Sequence, residues 1–109
     1  MPRFHHSIPV DDYVLDVLMP DLVGHDRHPA AFLVYLYLYR QAQRGRWGKV
    51  TASLRTIADG TGLSKSAVQT ALVRLHRRQL ISSRRAYPTA TPRHQVLRHW
   101  RQLPRGKKR

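Results

Sequence analysis

Apolar positions recur at helical spacing in several stretches of the chain. Val10, Tyr13, Val14, Val17 and Leu18 fall at i, i+3, i+4, i+7 and i+8, which places them on one face of a helix. Pro9 suits its start, and Asp11 and Asp12 suit a first turn, where the helix dipole favours acids. Pro20 predicts its end, and a turn holding Gly24 is expected over Asp21 to His28. In the next stretch, Val34 to Tyr39 alternates as a strand would, and Tyr and Val favour strands. Nearly every position there is apolar, however, so the alternation carries little weight. Pro29 at a first helical position, Ala30 and Ala31, and Gly45 as a stop predict a buried helix over 29–44.

The second half reads as shorter elements. A loop is expected at Arg44 to Gly48 and a short strand at Lys49 to Ala52. Ser53 can cap a helix with Leu54, Ile57 and Ala58 on one face, broken by Gly60-Thr-Gly62. Ser64 can cap the next helix, which has Val68, Ala71, Leu72 and Leu75 on its core face and runs to about Gln79. Leu80 to Ala86 and Gln95 to Trp100 are expected as an outgoing and a returning strand around the two-proline loop Tyr87 to Pro92. Residues 101–109, ending Lys107-Lys108-Arg109, are expected to form a mobile basic tail.

Two short helices joined by a glycine turn form the helix-turn-helix pattern. Ala58 is small where the helices must cross, Gly62 supplies the left-handed turn, and Val68 plugs the pair. The stretch from Ser53 to Ile81 closely resembles winged helix-turn-helix proteins of bacteria and phages. The resemblance rests on the Ile-Ala pair, Thr-Gly-Leu-Ser, the Ser-Ala-Val opening, the Ala-Leu-x-x-Leu spacing and the terminal Leu-Ile. A narrower one joins Ile8-Pro9, Asp16-Val-Leu-Met-Pro-Asp-Leu22 and the Val-Tyr-Leu-Tyr-Leu-Tyr-Arg40 stretch. These are similar to the DNA-binding domains of phage and plasmid replication proteins of the replication protein O type. The resemblance implies a mainly α fold with a small β-hairpin wing (α+β). It divides the chain into an N-terminal helix or arm at 1–27, a winged helix-turn-helix domain at 28–100 and a basic tail at 101–109.

Charge sharpens this reading. Lys and Arg number 20 against 6 acids, all Asp, for a formal charge of +14. Residues 1–39 hold Arg3 and Arg27 against five Asp, whereas beyond them Asp59 is the only acid. Nucleic acid is the expected polyanion, above an anionic membrane surface. With no Cys there is no disulfide framework, thiolate zinc site or cysteine nucleophile. The N-terminus lacks an apolar core of signal-peptide length, and the longest apolar run, Ala30 to Tyr39, is too short for a membrane span. A cytoplasmic, nucleoid-associated protein is expected.

Candidate contacts follow from the helix beginning after Ser64. Opposite its core face lie Ser66, Gln69, Thr70, Val73 and Arg77, with Lys65 beside them and Ser64 at a helix N-terminus that offers amides to a phosphate. Gln pairs with adenine, Ser and Thr are adaptable, and Val can meet a thymine methyl. Arg84, Arg85, Arg93 and His94 flank the hairpin loop, where the family places a wing on the backbone or minor groove. Arg55 is a candidate phosphate clamp. Arg74, Arg78 and the tail cations are expected to add non-specific attraction. An ordinary solvated helix face and a charged edge strand are the plain alternatives. His5-His6 and His25-x-x-His28 lack Cys or Glu support, so no metal is expected, and no cofactor or small-molecule ligand is evident. Without a phosphate loop, a Ser/His/Asp grouping or paired carboxylates, no enzyme is expected.

The favoured expectation is a double-stranded DNA-binding transcriptional regulator that represses by occupancy, working as a homodimer. The alternatives are a replication initiator binding origin repeats and a structural RNA-binding protein.

Overall fold

The computed structural model describes residues 6–101. The tail cations Lys107, Lys108 and Arg109, and His5 of the His pair, lie outside the described residues. The core winds around one helix, α1 (Pro29–Arg44). The His28 Nδ1 accepts from the Ala31 amide at 3.3 Å, and Pro29 occupies the first turn, where a missing N–H costs nothing. Ala31, Phe32, Val34, Tyr35, Leu38, Tyr39 and Ala42 are all buried and form one broad face of α1, while Leu33 on the opposite side stays exposed. Its buried tyrosines keep polar tips satisfied. Tyr35 Oη donates to the Leu97 carbonyl at 3.1 Å, and Tyr39 Oη accepts from the Asp11 amide at 2.9 Å. Burial raises both phenols above their ordinary pKa.

After α1 the chain reverses through Arg46 (φ 55°) and Trp47 (φ 66°), left-handed conformations usually left to glycine. Trp47 is held there from three sides. Its ring meets Tyr39 edge-on at 4.9 Å, the Arg98 guanidinium lies 3.5 Å over it, and its carbonyl accepts from Gln95 Nε2 at 3.2 Å.

The remaining elements are β1 (Val50–Thr51), α2 (Leu54–Thr61), α3 (Lys65–Arg77), β2 (Ile81–Arg84) and β3 (Arg93–Val96). The strands form an antiparallel sheet in the order β1-β3-β2, with Ile81 opposite Val96 and Val50 opposite His94. The helix α1 packs on α2, α3 and β3, so the helix pair and the hairpin share one support.

The N-terminal segment departs from expectation. Pro20 does not end the helix. The chain stays helical from Asp12 to His25 through two π-type turns, Val14–Leu18 and Pro20–His25. The Met19 amide bonds to the Val14 carbonyl and the Asp26 amide to the Asp21 carbonyl, both five residues back. An α-helix would press the proline ring on the carbonyl four residues back. The wider i→i+5 turn relieves that contact. Of the expected face, Val14 and Leu18 are buried and Val10 and Tyr13 pack against the core, while Val17 is left 36% exposed and Leu22 is buried further along.

Other boundaries shift as well. Gly60 and Thr61 belong to α2, and the helix stops only at Gly62 (φ 82°). A Cβ at Gly60 would strike the Tyr37 ring, so this glycine serves close packing rather than chain reversal. The returning strand begins at Arg93 and ends at Val96, while Trp100 sits in a 3-10 turn, His99–Arg101. Two contacts hold Trp100 there. It stacks on Tyr13 at 4.5 Å, and its Nε1 donates to Asp11 at 2.8 Å. Asp11 therefore lies outside the helix as an acceptor, not inside its first turn. Its carboxylate also takes two guanidinium bonds from Arg101, at 2.7 and 2.9 Å, so Arg101 belongs to the fold and not to a free tail. The Arg101 and Trp100 bonds hold the Asp11 carboxyl well below the usual carboxylate range, against burial.

Asp26 is the second clamp. Its side chain is almost covered and accepts from Arg78 Nε at 3.1 Å, with Arg74 at 3.9 Å, while Asp21 stands 3.3 Å from Arg78. A hydrogen bond from His25, with the two guanidinium groups, lowers the Asp26 pKa despite burial. Lowered carboxyl pKa values mean that the unfolded chain binds more protons. The stability they add is complete above the ordinary carboxyl range and is lost as pH falls through the lower folded values. Asp26→Asn is expected to cost about 1–2 kcal/mol at neutral pH, because one end of a partly solvated charged hydrogen-bond pair is lost. Urea melts should show a lower midpoint at unchanged slope, and the gap to the parent should close below about pH 4.

Candidate nucleic-acid interface

The turn between α2 and α3 is built by short-range chemistry. Ser53 Oγ accepts from the Thr56 amide at 3.1 Å and Ser64 Oγ from the Ala67 amide at 3.1 Å, so each serine caps its helix as expected. Gly62 donates its amide to the Ala58 carbonyl at 2.8 Å in the left-handed conformation, and Thr61 Oγ1 accepts from the Leu63 amide at 3.3 Å. Ala58, Val68, Ala71 and Leu75 are buried, whereas Leu72 is only half-buried. At its far end α3 closes through Gln79 (φ 58°), and the Leu80 amide returns to the Leu75 carbonyl at 2.9 Å.

This fixes the outward face of α3. Ser64, Lys65, Ser66, Gln69, Thr70 and Arg77 are exposed, and Val73 is 53% exposed. Thr70 Oγ1 donates back to the Ser66 carbonyl at 3.0 Å, leaving its oxygen lone pairs free outward. Arg74 is only partly exposed and turns toward Asp26, at 3.9 Å. Arg78 is likewise taken by Asp21 and Asp26.

The hairpin β2–β3 stands beside α3, and between them opens a cleft of about 640 Å³. Arg55 at the start of α2, Lys65, Gln69 and Val73 of α3, and Arg84 and Arg85 of the wing all line it. Half of the side chains singled out from the sequence thus converge there. Arg93 is paired across the sheet with Arg84 and lines a small separate hollow with Lys49 and Arg85. Arg85 also braces the loop, donating from Nη1 to the Ala90 carbonyl at 2.8 Å.

The back wall of the cleft holds a polar relay that sequence reasoning missed. His94, expected to open the wing outward, is 2% exposed and points inward. Its Nε2 lies 3.1 Å from the Ala52 carbonyl, so that nitrogen carries the proton, and Nδ1 accepts from Ser83 Oγ at 2.6 Å. Ser83 Oγ stands 2.9 Å from His76 Nε2 on α3. One chain of hydrogen bonds therefore joins the segment before α2, the wing and α3. The only hint in the sequence was the alternation of β3, which buries His94 with Val96.

Among the described residues no three His, Cys, Asp or Glu side chains stand together as a metal set. No helix among them is long and apolar enough to cross a membrane.

Crossed helices behind a glycine turn, an outward-facing second helix and an adjoining hairpin define a winged helix-turn-helix fold of the α+β class. Residues 28–81 match the model of the helix-turn-helix domain family, a match that supports DNA binding in general. No curated protein and no solved structure matches the chain.

Burial lowers the His94 pKa below its ordinary value, so the native imidazole stays neutral where an unfolded one takes a proton. Its contribution is complete above about pH 6.5 and is lost as pH falls through the depressed folded value. His94→Gln is expected to lose about 1–3 kcal/mol at pH 7.5, through unsatisfied partners. Denaturant midpoints between about pH 7.5 and 5.5 should be flatter in the variant than in the parent.

Proposed function

We propose that this protein binds double-stranded DNA sequence-selectively and acts as a small transcriptional regulator that represses by occupying its site. In this reading α3 enters the major groove. Ser66, Gln69, Thr70 and Val73 meet base edges there, while Ser64, Lys65 and Arg77 lie along the backbone. The wing follows the flank, with Arg84, Arg85 and Arg93 toward phosphates or the minor groove, and Arg55 clamps the strand between helix and wing.

The observation that carries this reading is the cleft. Arg55, Lys65, Arg84 and Arg85 edge it, Gln69 and Val73 lie between them, and no Asp lines it. Three of the chain's acids, Asp11, Asp21 and Asp26, are instead engaged by arginines elsewhere. A phosphate backbone therefore meets attraction along the cleft without a nearby carboxylate to repel it. Arg74 and Arg78, already paired, contribute through the summed field more than through direct bonds.

Selection of bound fragments from random duplex DNA tests the regulatory role. A two-fold site favours a regulator, head-to-tail repeats would transfer the protein to origin binding, and tighter binding to structured RNA would overturn the duplex reading. If about six phosphates are neutralised, affinity should fall with salt at a log–log slope of about −5 or steeper. On the selected site Gln69→Ala should cost about 1–3 kcal/mol and leave random DNA unaffected, whereas Arg84→Ala should weaken all sequences alike. Equal loss on random DNA for Gln69→Ala would reject this orientation of α3.

A further inference from the structure

The helical segment Asp12 to His25 presents an apolar row to solvent. Its four-residue repeat is visible from the core side, where Val14, Leu18 and Leu22 are all buried. One position further round, the same repeat aligns Leu15, Met19 and Val23, exposed by 44%, 37% and 38%. Three large apolar side chains in one exposed row are unlike the scattered single ones of an ordinary surface.

The charges around this row are arranged by direction. Asp12 and Asp16 lie at its N-terminal end, and Arg27 lies four residues beyond Val23 at the other end. All three are exposed, and none takes part in an ion pair among the described residues, although Asp11, Asp21 and Asp26 all do. A segment that is acidic at one end, basic at the other and apolar between is complementary to itself when turned through half a revolution.

We propose that this row is the contact between two copies of the chain, packed antiparallel about a two-fold axis near Met19. In that arrangement Leu15 of each copy faces Val23 of the other, Met19 meets its own equivalent, and the Arg27 side chain reaches Asp12 of the other copy. The contact is isologous, so each complementary pair occurs twice and the assembly closes at two. Other occupants fit less well, because a partner protein would have to carry the same apolar row and the same reversed charges. The contact lies on the N-terminal segment, away from the α3–wing cleft, and stands whether or not that cleft binds DNA.

Sedimentation equilibrium of the full chain, without DNA and at low salt, tests the contact. A reversible monomer–dimer equilibrium is expected. Met19→Asp should abolish it while leaving the circular dichroism spectrum and urea midpoint close to the parent's, since Met19 is a surface residue. Asp12→Arg and Arg27→Asp should each raise the dimer dissociation constant about tenfold, two exposed pairs being lost or reversed per dimer. The doubly reversed chain should return to within about threefold of the parent, a restoration that a general loss of folding would not produce. A chain that stays monomeric to about 0.5 mM, or a dimer indifferent to Met19→Asp, would overturn the proposal. Single reversals that weaken a dimer which the double reversal fails to restore would reject the antiparallel arrangement.

Discussion

A chain so rich in arginine has few carboxylates to pair with, and nearly all of them lie before residue 27. That constraint shapes the molecule. Asp11 reaches ninety residues along the chain to Arg101, and Asp26 reaches fifty-two to Arg78. The acidic N-terminal segment is thereby tied both to the exit of the wing and to the last turn of α3. Three of the scarce acids are used on that side. The cations of the α3–wing cleft keep none beside them, so their field is directed outward toward a polyanion.

Inside this charged frame the tyrosine-rich helix α1 sets the geometry. Seven of its side chains are buried and it packs against α2, α3 and β3 at once, which fixes the helix pair relative to the hairpin. Tyr35 and Tyr39 sit in this core because their hydroxyls reach the Leu97 carbonyl and the Asp11 amide, so burial leaves no unpaired polar atom at either tip. The His94 relay does the same at the cleft wall. Its three bonds join the Ala52 carbonyl, Ser83 and His76, and tie the wing to α3 and to the segment before α2.

Legibility from the sequence followed the range of the interactions. The span of α1, the serine caps at Ser53 and Ser64, the left-handed Gly62 and the outward face of α3 depend on residues within about one helical turn of each other. Propensity, capping and periodicity determine such features, and the residues alone carried them. The same local logic placed Lys65, Ser66, Gln69, Thr70 and Val73 on one exposed face.

Tertiary structure decided the rest. Pro20 continues a helix because wider turns accommodate its ring while three apolar residues four apart are drawn into the core of α1, a balance that no local rule weighs. Asp11 left its helix to receive Trp100 and Arg101, and His94 turned inward to a carbonyl forty-two residues earlier. In the cases of Asp11 and His94 a long-range bond overrides the local preference. Sequence by itself thus determined the helix pair and the side it shows. Folding determined where the acids went, and with them which cations were left free.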